Sequence, residues 1–235
     1  MVDFTSKERY DLADLVRIVE LLRSPGGCPW DQVQTHDSIR RNLLEEAYEA
    51  CEALDRDDPA MMTEELGDVL LQVVFHAVLE QERGRFGLED VCDAECKKLV
   101  YRHPHVFGGE LHDWDEMKKL EKGQRTLSEI LDAVARTMPA AWRAGKLQEK
   151  MRKHGAAEPT AQELLSQLEA QTAALRRAVE SGEDAEPAMG QALFAAAGLA
   201  QLLKIDPEQA LHGACEDCIE RVRQQEADGA EIKKF

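Results

Sequence analysis

Hydrophobic and polar positions recur with helical periods along most of the chain. The strongest segment runs from Glu65 to Leu79 and is apolar nearly all the way round, which predicts a buried helix. Leu66, Val69, Leu70, Val73, Val74 and Val78 fill most of its circumference, and Glu65, Asp68, Gln72 and His76 share the remaining stripe. Asp58-Pro59 supplies an N-cap followed by proline at the first helical position, and Gly84 breaks the helix after about Arg83. The preceding helix has an apolar face of Leu43, Leu44, Ala47, Tyr48, Cys51 and Leu54, with Glu45, Glu46 and Glu49 on the other side. The connection Asp55-Arg56-Asp57-Asp58 is short enough to make these two helices antiparallel neighbours.

Upstream, Thr5-Ser6-Lys7-Glu8 has capping-box spacing and predicts the start of a helix with Leu12, Leu15, Val16, Val19 and Leu22 on one face. Ser24-Pro25-Gly26-Gly27 ends it, and Cys28-Pro29-Trp30-Asp31 follows as a tight loop. Downstream, a helix over Leu88–Arg102 is stopped by His103-Pro104, and a short helix is expected around Trp114–Lys122. Aromatic residues make up only 5% of the chain, and Ala, Leu, Glu, Gln and Arg dominate, so the fold class expected is all-α. With 235 residues the chain forms one large domain or two of about 110 residues.

Charge narrows the partners. A formal net charge of −17 excludes a protein that grips a phosphate backbone over a broad basic surface, so no nucleic acid is expected. No apolar run reaches membrane-spanning length, and Met1–Glu8 lacks a signal-peptide core, so no membrane partner and a cytoplasmic location are expected. The six cysteines read as free thiols; Cys92/Cys96 and Cys215/Cys218 have helical spacing, and a zinc site from both pairs is the lesser alternative.

The acids carry the chemistry. Glu46 and Glu49 are one turn apart, as are Glu65 and Asp68, and an antiparallel pair lets the two sets face each other. Four converging carboxylates repel unless a cation lies between them, and oxygen-only ligation favours Mg²⁺, with Mn²⁺ as a substitute. The alternative, a solvated acidic face, applies better to Glu45, Glu46 and Glu49 than to Glu65 and Asp68, which sit in an apolar run. Basic residues collect at Lys97, Lys98, Arg102, Lys118, Lys119, Lys122 and Arg125. Lys98/Arg102 and Trp114/Lys118 are each i, i+4 pairs, able to meet phosphates and a flat base; ordinary surface lysines and a packed tryptophan are the alternatives. His76 reads as a core histidine or one that supports a ligand, and no ExxH pair of the di-iron type is present.

Gly27-Cys28-Pro29-Trp30-Asp31, the EExxE of Glu45–Glu49, the ExxD of Glu65–Asp68, Arg102-His103-Pro104-His105-Val106-Phe107 and the Trp114…Lys118 pair together resemble the MazG family, all-α nucleoside triphosphate pyrophosphohydrolases. The match is close from about residue 12 to 125 and continues, weaker, through Leu131-Asp132, Arg136, Pro139 and Lys146-Leu147-Gln148. The resemblance implies Mg²⁺ ligands at Glu46, Glu49, Glu65 and Asp68, and Glu45 positioning or activating water. It also implies phosphate contacts from Lys98, Arg102 and Lys118, with Trp114 against the base. The reaction implied is hydrolysis of NTPs or dNTPs to nucleoside monophosphate and pyrophosphate, clearing the nucleotide pool. A narrower substrate, such as one dNTP or a phosphoribosyl nucleotide, and a non-enzymatic acidic scaffold are the competing readings.

Family members of this length resemble a tandem repeat. The expected organisation is therefore a catalytic domain over 1–125 and a structural one over 126–235, with helices that form four-helix-bundle-type pairs. The second copy is degenerate: Ala188 and Gln191 stand where Glu65 and Asp68 stand in the first, and no EExxE survives around Leu168–Ala173. Asp217 replaces the basic residue matching Lys98, with Arg221 four later. One repeat has too few helices to bury Glu65–Leu79, so a homodimer is expected.

Overall fold

The computed structural model describes residues 4–110 and 123–227, which form ten helices and no strand among the described residues. The fold class is all-α, as the periodicity requires. The chain divides into two compact units, Met1–His112 and Asp113–Phe235. The short helix expected around Trp114–Lys122 lies outside the described residues.

The first unit contains α1 (Leu12–Arg23), α2 (Pro29–Gln32), α3 (His36–Asp55), α4 (Pro59–Glu82) and α5 (Leu88–Arg102). α4 is the centre: α1, α3 and α5 all pack on it. Val19 of α1, Ile39 of α3, and Val74, Phe75, Val78 and Leu79 of α4 form the buried core, with Leu15, Val16, Leu71 and Leu88 against it. The capping box at Thr5-Ser6-Lys7-Glu8 does not form. α1 is opened instead by Asp11, whose side chain accepts from the Asp14 amide while Asp14 returns the bond to the Asp11 amide. Asp at both ends of the box does the same work as Ser/Thr with Glu, at Asp11 and Asp14 instead of Thr5 and Glu8.

The loop after α1 is fixed from two sides. Gly27 lies so close to the end of α1 that a Cβ would overlap the carbonyl oxygens of Leu21 and Leu22. Arg23, at the end of α1, pairs both nitrogens of its fork with Glu82 at 2.7 and 2.8 Å and donates to the carbonyl oxygens of Asp31 and Gln34. Its guanidinium also lies 5.2 Å from the Phe75 ring centroid. One side chain thus joins α1, the segment around α2 and the last turn of α4.

The packing face of α3 differs from the expected one. Ile39, Ala50 and Ala53 are its buried residues, so the inward stripe runs Ile39, Leu43, Glu46, Ala50, Ala53. Leu44, Tyr48 and Leu54 face outward, and Tyr48 remains 55% exposed. Two alanines let α3 approach α4 closely, which larger side chains on the expected face would prevent. α4 is likewise only partly buried: Val74 to Glu80 form the core half, whereas Leu66, Leu70 and Val73 stay exposed.

The far end of α4 holds a charge network. Glu80 is buried and receives His36 Nε2 at 2.6 Å, Arg83 at 2.9 Å and Arg85 at 3.1 Å. A carboxylate only accepts, so His36 Nε2 donates. His36 Nδ1 lies 2.7 Å from His76 Nδ1, so a single proton sits between the two stacked rings.

The second unit contains α6 (Leu127–Asp132), α7 (Ala140–Lys153), α8 (Ala161–Ser181), α9 (Glu186–Leu202) and α10 (Pro207–Ala227). α9 is its centre, packed by α7, α8 and α10. Ala192, Ala195 and Ala197 are buried there, and Gln148 of α7 donates to the Phe194 carbonyl at 2.8 Å beside Gly198. Trp142 donates to Asp206 at 2.7 Å, which ties α7 to the start of α10. No single helix among the described residues is long and apolar enough to cross a membrane.

Replacing Arg23 by Lys keeps the charge but loses the fork. The expected cost is about 1 kcal/mol, since the forked bond goes to an exposed Glu82 carboxylate and the carbonyl bonds are part-buried, read as a lower urea midpoint at an unchanged m-value. Acid should also weaken the α3–α4 end. His36 and the Arg83 and Arg85 guanidinia hold the Glu80 carboxyl below its usual range, a contribution present above that range and lost as pH falls through the lowered value. Burial, with the His36 charge second, lowers the His76 imidazole, so stability is lost as pH falls below about 6.5, where the unfolded ring takes up a proton. Urea midpoints should drop between pH 7.5 and 5.5, and His76→Gln should flatten that slope.

Candidate metal centre

The site follows from the rotation of α3. Turning Ile39, Ala50 and Ala53 onto α4 carries Glu46 inward with them, because the four share one helical stripe. Thr35 caps α3, accepting from the Ser38 amide, and fixes where that stripe begins. On α4, Asp58 accepts from the Ala60 and Met61 amides and fixes the start of the helix bearing Glu65 and Asp68.

Carboxylate oxygens of Glu46, Glu49 and Glu65 come within 4.8 Å of one another. Glu46, Glu65 and Asp68 are half-buried and Glu49 is exposed. Asp68 is near enough for its charge to act on both Glu46 and Glu65. Burial pushes the Glu46 carboxyl above its usual range, and a hydrogen bond shared with Glu49 and the charges of Asp68, Glu49 and Glu65 push the same way. Burial also raises Glu65, helped by Glu49, Glu64, Asp68 and Glu52. Among the described residues, the contributions named here all point upward, and none comes from a cationic side chain.

Glu45 stands apart. Its exposed side chain turns toward Arg41, whose Nε lies 4.0 Å from Glu45 Oε2. Lys98 and Arg102 occupy successive turns of α5, which packs on α4; Lys98 pairs with Glu95. Trp114 and Lys118 lie outside the described residues. Trp30 is 58% exposed at the start of α2. Gln72, one turn beyond Asp68, is a residue that sequence reasoning placed on the polar stripe without giving it a role. It is buried, and its Oε1 has no hydrogen-bond partner among the described residues. The signal available was its position among Glu65, Asp68 and His76.

The donor set fits a hard cation. Three carboxylates from two helices, with their oxygens inside one coordination sphere's reach, supply oxygen ligands only, as Mg²⁺ and Mn²⁺ prefer. The raised carboxyls point the same way energetically, since a cation between them would offset the burial and repulsion that raise them.

Comparison with known proteins gives the family. The model for the MazG nucleotide pyrophosphohydrolase domain matches residues 34–107, which span α3, α4 and α5. The chain is 41% identical over 217 residues to the nucleoside triphosphate pyrophosphohydrolase/pyrophosphatase MazG of Thermotoga maritima, covering 91% of this chain and 84% of that one. It is 37% identical over 225 residues to the nucleoside triphosphate pyrophosphohydrolase of Escherichia coli, covering 90% and 86%. A relative of the same description from Mycolicibacterium smegmatis is 41% identical over 138 residues, 55% of this chain and 42% of that protein. With the acid cluster of α3 and α4 inside the matched region and identity extending over nine-tenths of its length, the chain belongs to the MazG family of nucleotide pyrophosphohydrolases.

Proposed function

We propose that this protein hydrolyses nucleoside triphosphates, both NTPs and dNTPs, to nucleoside monophosphate and pyrophosphate in a Mg²⁺-dependent reaction that clears the cytoplasmic nucleotide pool. The observation that carries this reading is the convergence of Glu46, Glu49 and Glu65, whose carboxylate oxygens lie within 4.8 Å of one another. Glu46, Glu49, Glu65 and Asp68 would hold the ion. When bound, the ion supplies charge neutralisation at the phosphates and lowers the pKa of a water.

The chain's own groups supply the rest. Water oxygen attacks the α-phosphorus in line, the bond from that phosphorus to the α,β-bridging oxygen breaks, and pyrophosphate leaves. Glu45 or one of the ion-holding carboxylates orients the water and takes its proton; Glu45 must first leave its contact with Arg41. Lys98 and Arg102 meet the leaving phosphates, joined by Lys118, and Trp114 stacks on the base. The catalytic unit is the first, 1–125, and the second, 126–235, is a degenerate structural copy. α7, α8, α9 and α10 repeat the packing order of α1, α3, α4 and α5, but Ala188 and Gln191 replace the ligand pair. The outward stripe of Leu44, Tyr48, Leu66, Leu70 and Val73 is the surface through which two copies pair as a homodimer.

Purified protein with Mg²⁺ and a panel of NTPs and dNTPs, including non-standard bases, should release pyrophosphate and monophosphate. Asp68→Ala should lower turnover by more than about 100-fold, beyond the cost of losing a supporting hydrogen bond, with an unchanged circular dichroism spectrum. Substitutions at Ala188 or Gln191 should leave it within about twofold, as is usual far from the reacting groups. Orthophosphate with diphosphate as products would overturn the α-attack. The metal makes a separate prediction about stability. Glu46 and Glu65 have raised carboxyls, so their contribution to folding is present below the usual range and lost as pH rises through the raised values. Glu46→Gln should therefore melt a few degrees higher than wild type at pH 7.5 without divalent ion, and the gain should shrink toward pH 5. Excess Mg²⁺ should reverse the order.

A further inference from the structure

Gln72 is the one polar residue of the α4 stripe that neither the acid cluster nor the Glu80 network absorbs. It is 9% exposed, and its Oε1 is sealed from solvent with no hydrogen-bond partner among the described residues. Leaving a buried acceptor unmade costs about 1–3 kcal/mol, so its persistence calls for a partner that arrives from elsewhere. The residue stands one turn after Asp68, on the same stripe. Side chains on a helix lean toward its N-terminus, so the space that Gln72 covers is the turn of Asp68 rather than that of His76. His76 is in any case engaged with His36.

We propose that Gln72 is a positioning residue of the metal centre: its carboxamide oxygen accepts a hydrogen bond from the hydration water of a divalent cation held by the acid cluster. This rests on the metal reading above. A neutral acceptor suits that place, because it orients an ion-bound water without adding a further charge to carboxylates that already repel. Waters on a cation are strong donors, and a carboxamide oxygen has two lone pairs to receive them.

The second unit points the same way. In the register that sets Ala188 on Glu65 and Gln191 on Asp68, the later stripe positions Gln72, His76 and Glu80 fall on Ala195, Leu199 and Leu203. Ala195 is buried in α9, so the position keeps its place in the packing and loses its polar group. Where the ligand acids are absent, the acceptor is absent too. A glutamine needed only for packing between helices would have no reason to disappear with them.

The test uses the full-length protein, with Mn²⁺ affinity followed by electron paramagnetic resonance and Mg²⁺ by calorimetry. Gln72→Met keeps the shape and removes the acceptor; Gln72→Glu keeps an acceptor oxygen in the same place. Gln72→Met should melt higher than wild type without metal yet bind Mn²⁺ about tenfold more weakly. Gln72→Glu should melt lower without metal, because it adds charge, yet bind Mn²⁺ at least as tightly as wild type. This opposition of stability and affinity is what a packing role would not produce. Gln72→Met melting lower with unchanged Mn²⁺ affinity overturns the proposal, as does a shift of Gln72→Met to a smaller species in light scattering, which would place the missing donor on a second copy. Asp68→Asn serves as the control. If it loses Mn²⁺ binding while Gln72→Met keeps it, only the role of Gln72 falls; if Asp68→Asn keeps it, the metal reading falls as well.

Discussion

Everything in the first unit accommodates one electrostatic constraint: carboxylates from two helices are held close together on the packed side of α3 and α4. Burial and mutual repulsion both act against the ionised forms of Glu46 and Glu65. A protein optimised only for stability would place a lysine there or move the acids to solvent. The fold keeps them in place through ordinary core packing on the same helices, with Ile39, Val74, Phe75, Val78 and Leu79 supplying the apolar burial. The site is thus a strained region held by a rigid one, a common division at functional centres.

α4 shows both ways of treating a buried acid. Glu80 is met by His36, Arg83 and Arg85, and its carboxyl is held below the usual range. Glu65, four turns earlier on the same stripe, has its carboxyl pushed up by burial first and then by the negative charges of neighbouring acids. The contrast separates a carboxylate whose cationic partners are built into the chain from acids whose nearest charged neighbours are other acids. The Arg23 fork has a related role at the other side of the core, since it fixes the loop and the last turn of α4 together.

The second unit carries no such acid cluster among its described residues. α9 occupies the central place that α4 has in the first unit, yet its interior is alanine and its stripe lacks ionisable groups. Close helix contact is then achieved with small residues, and Gly198 leaves room for Gln148. Helical packing alone does not need the acids, so their presence in the first unit calls for a chemical reason.

The sequence by itself determined the helices and the chemistry they carry. Asp58-Pro59 and Gly84 bound α4, His103-Pro104 ends α5, and the EExxE and ExxD spacings nominate the acids, because caps, breakers and i, i+3 neighbours are local properties. Two local signals misled. Thr5-Ser6-Lys7-Glu8 has the right letters for a capping box, but Asp11 and Asp14 make the bonds. The apolar face of α3 was assigned to the large residues Leu44, Tyr48 and Leu54, whereas Ala50 and Ala53 pack. Periodicity ranks faces by hydrophobicity, but close approach between helices is decided by size, and size matters only once the partner helix is in place. The same choice turned Glu46 inward, left Glu45 beside Arg41, and sealed Gln72 without a partner. Those outcomes depend on contacts between residues distant in sequence, so only the tertiary structure decided them.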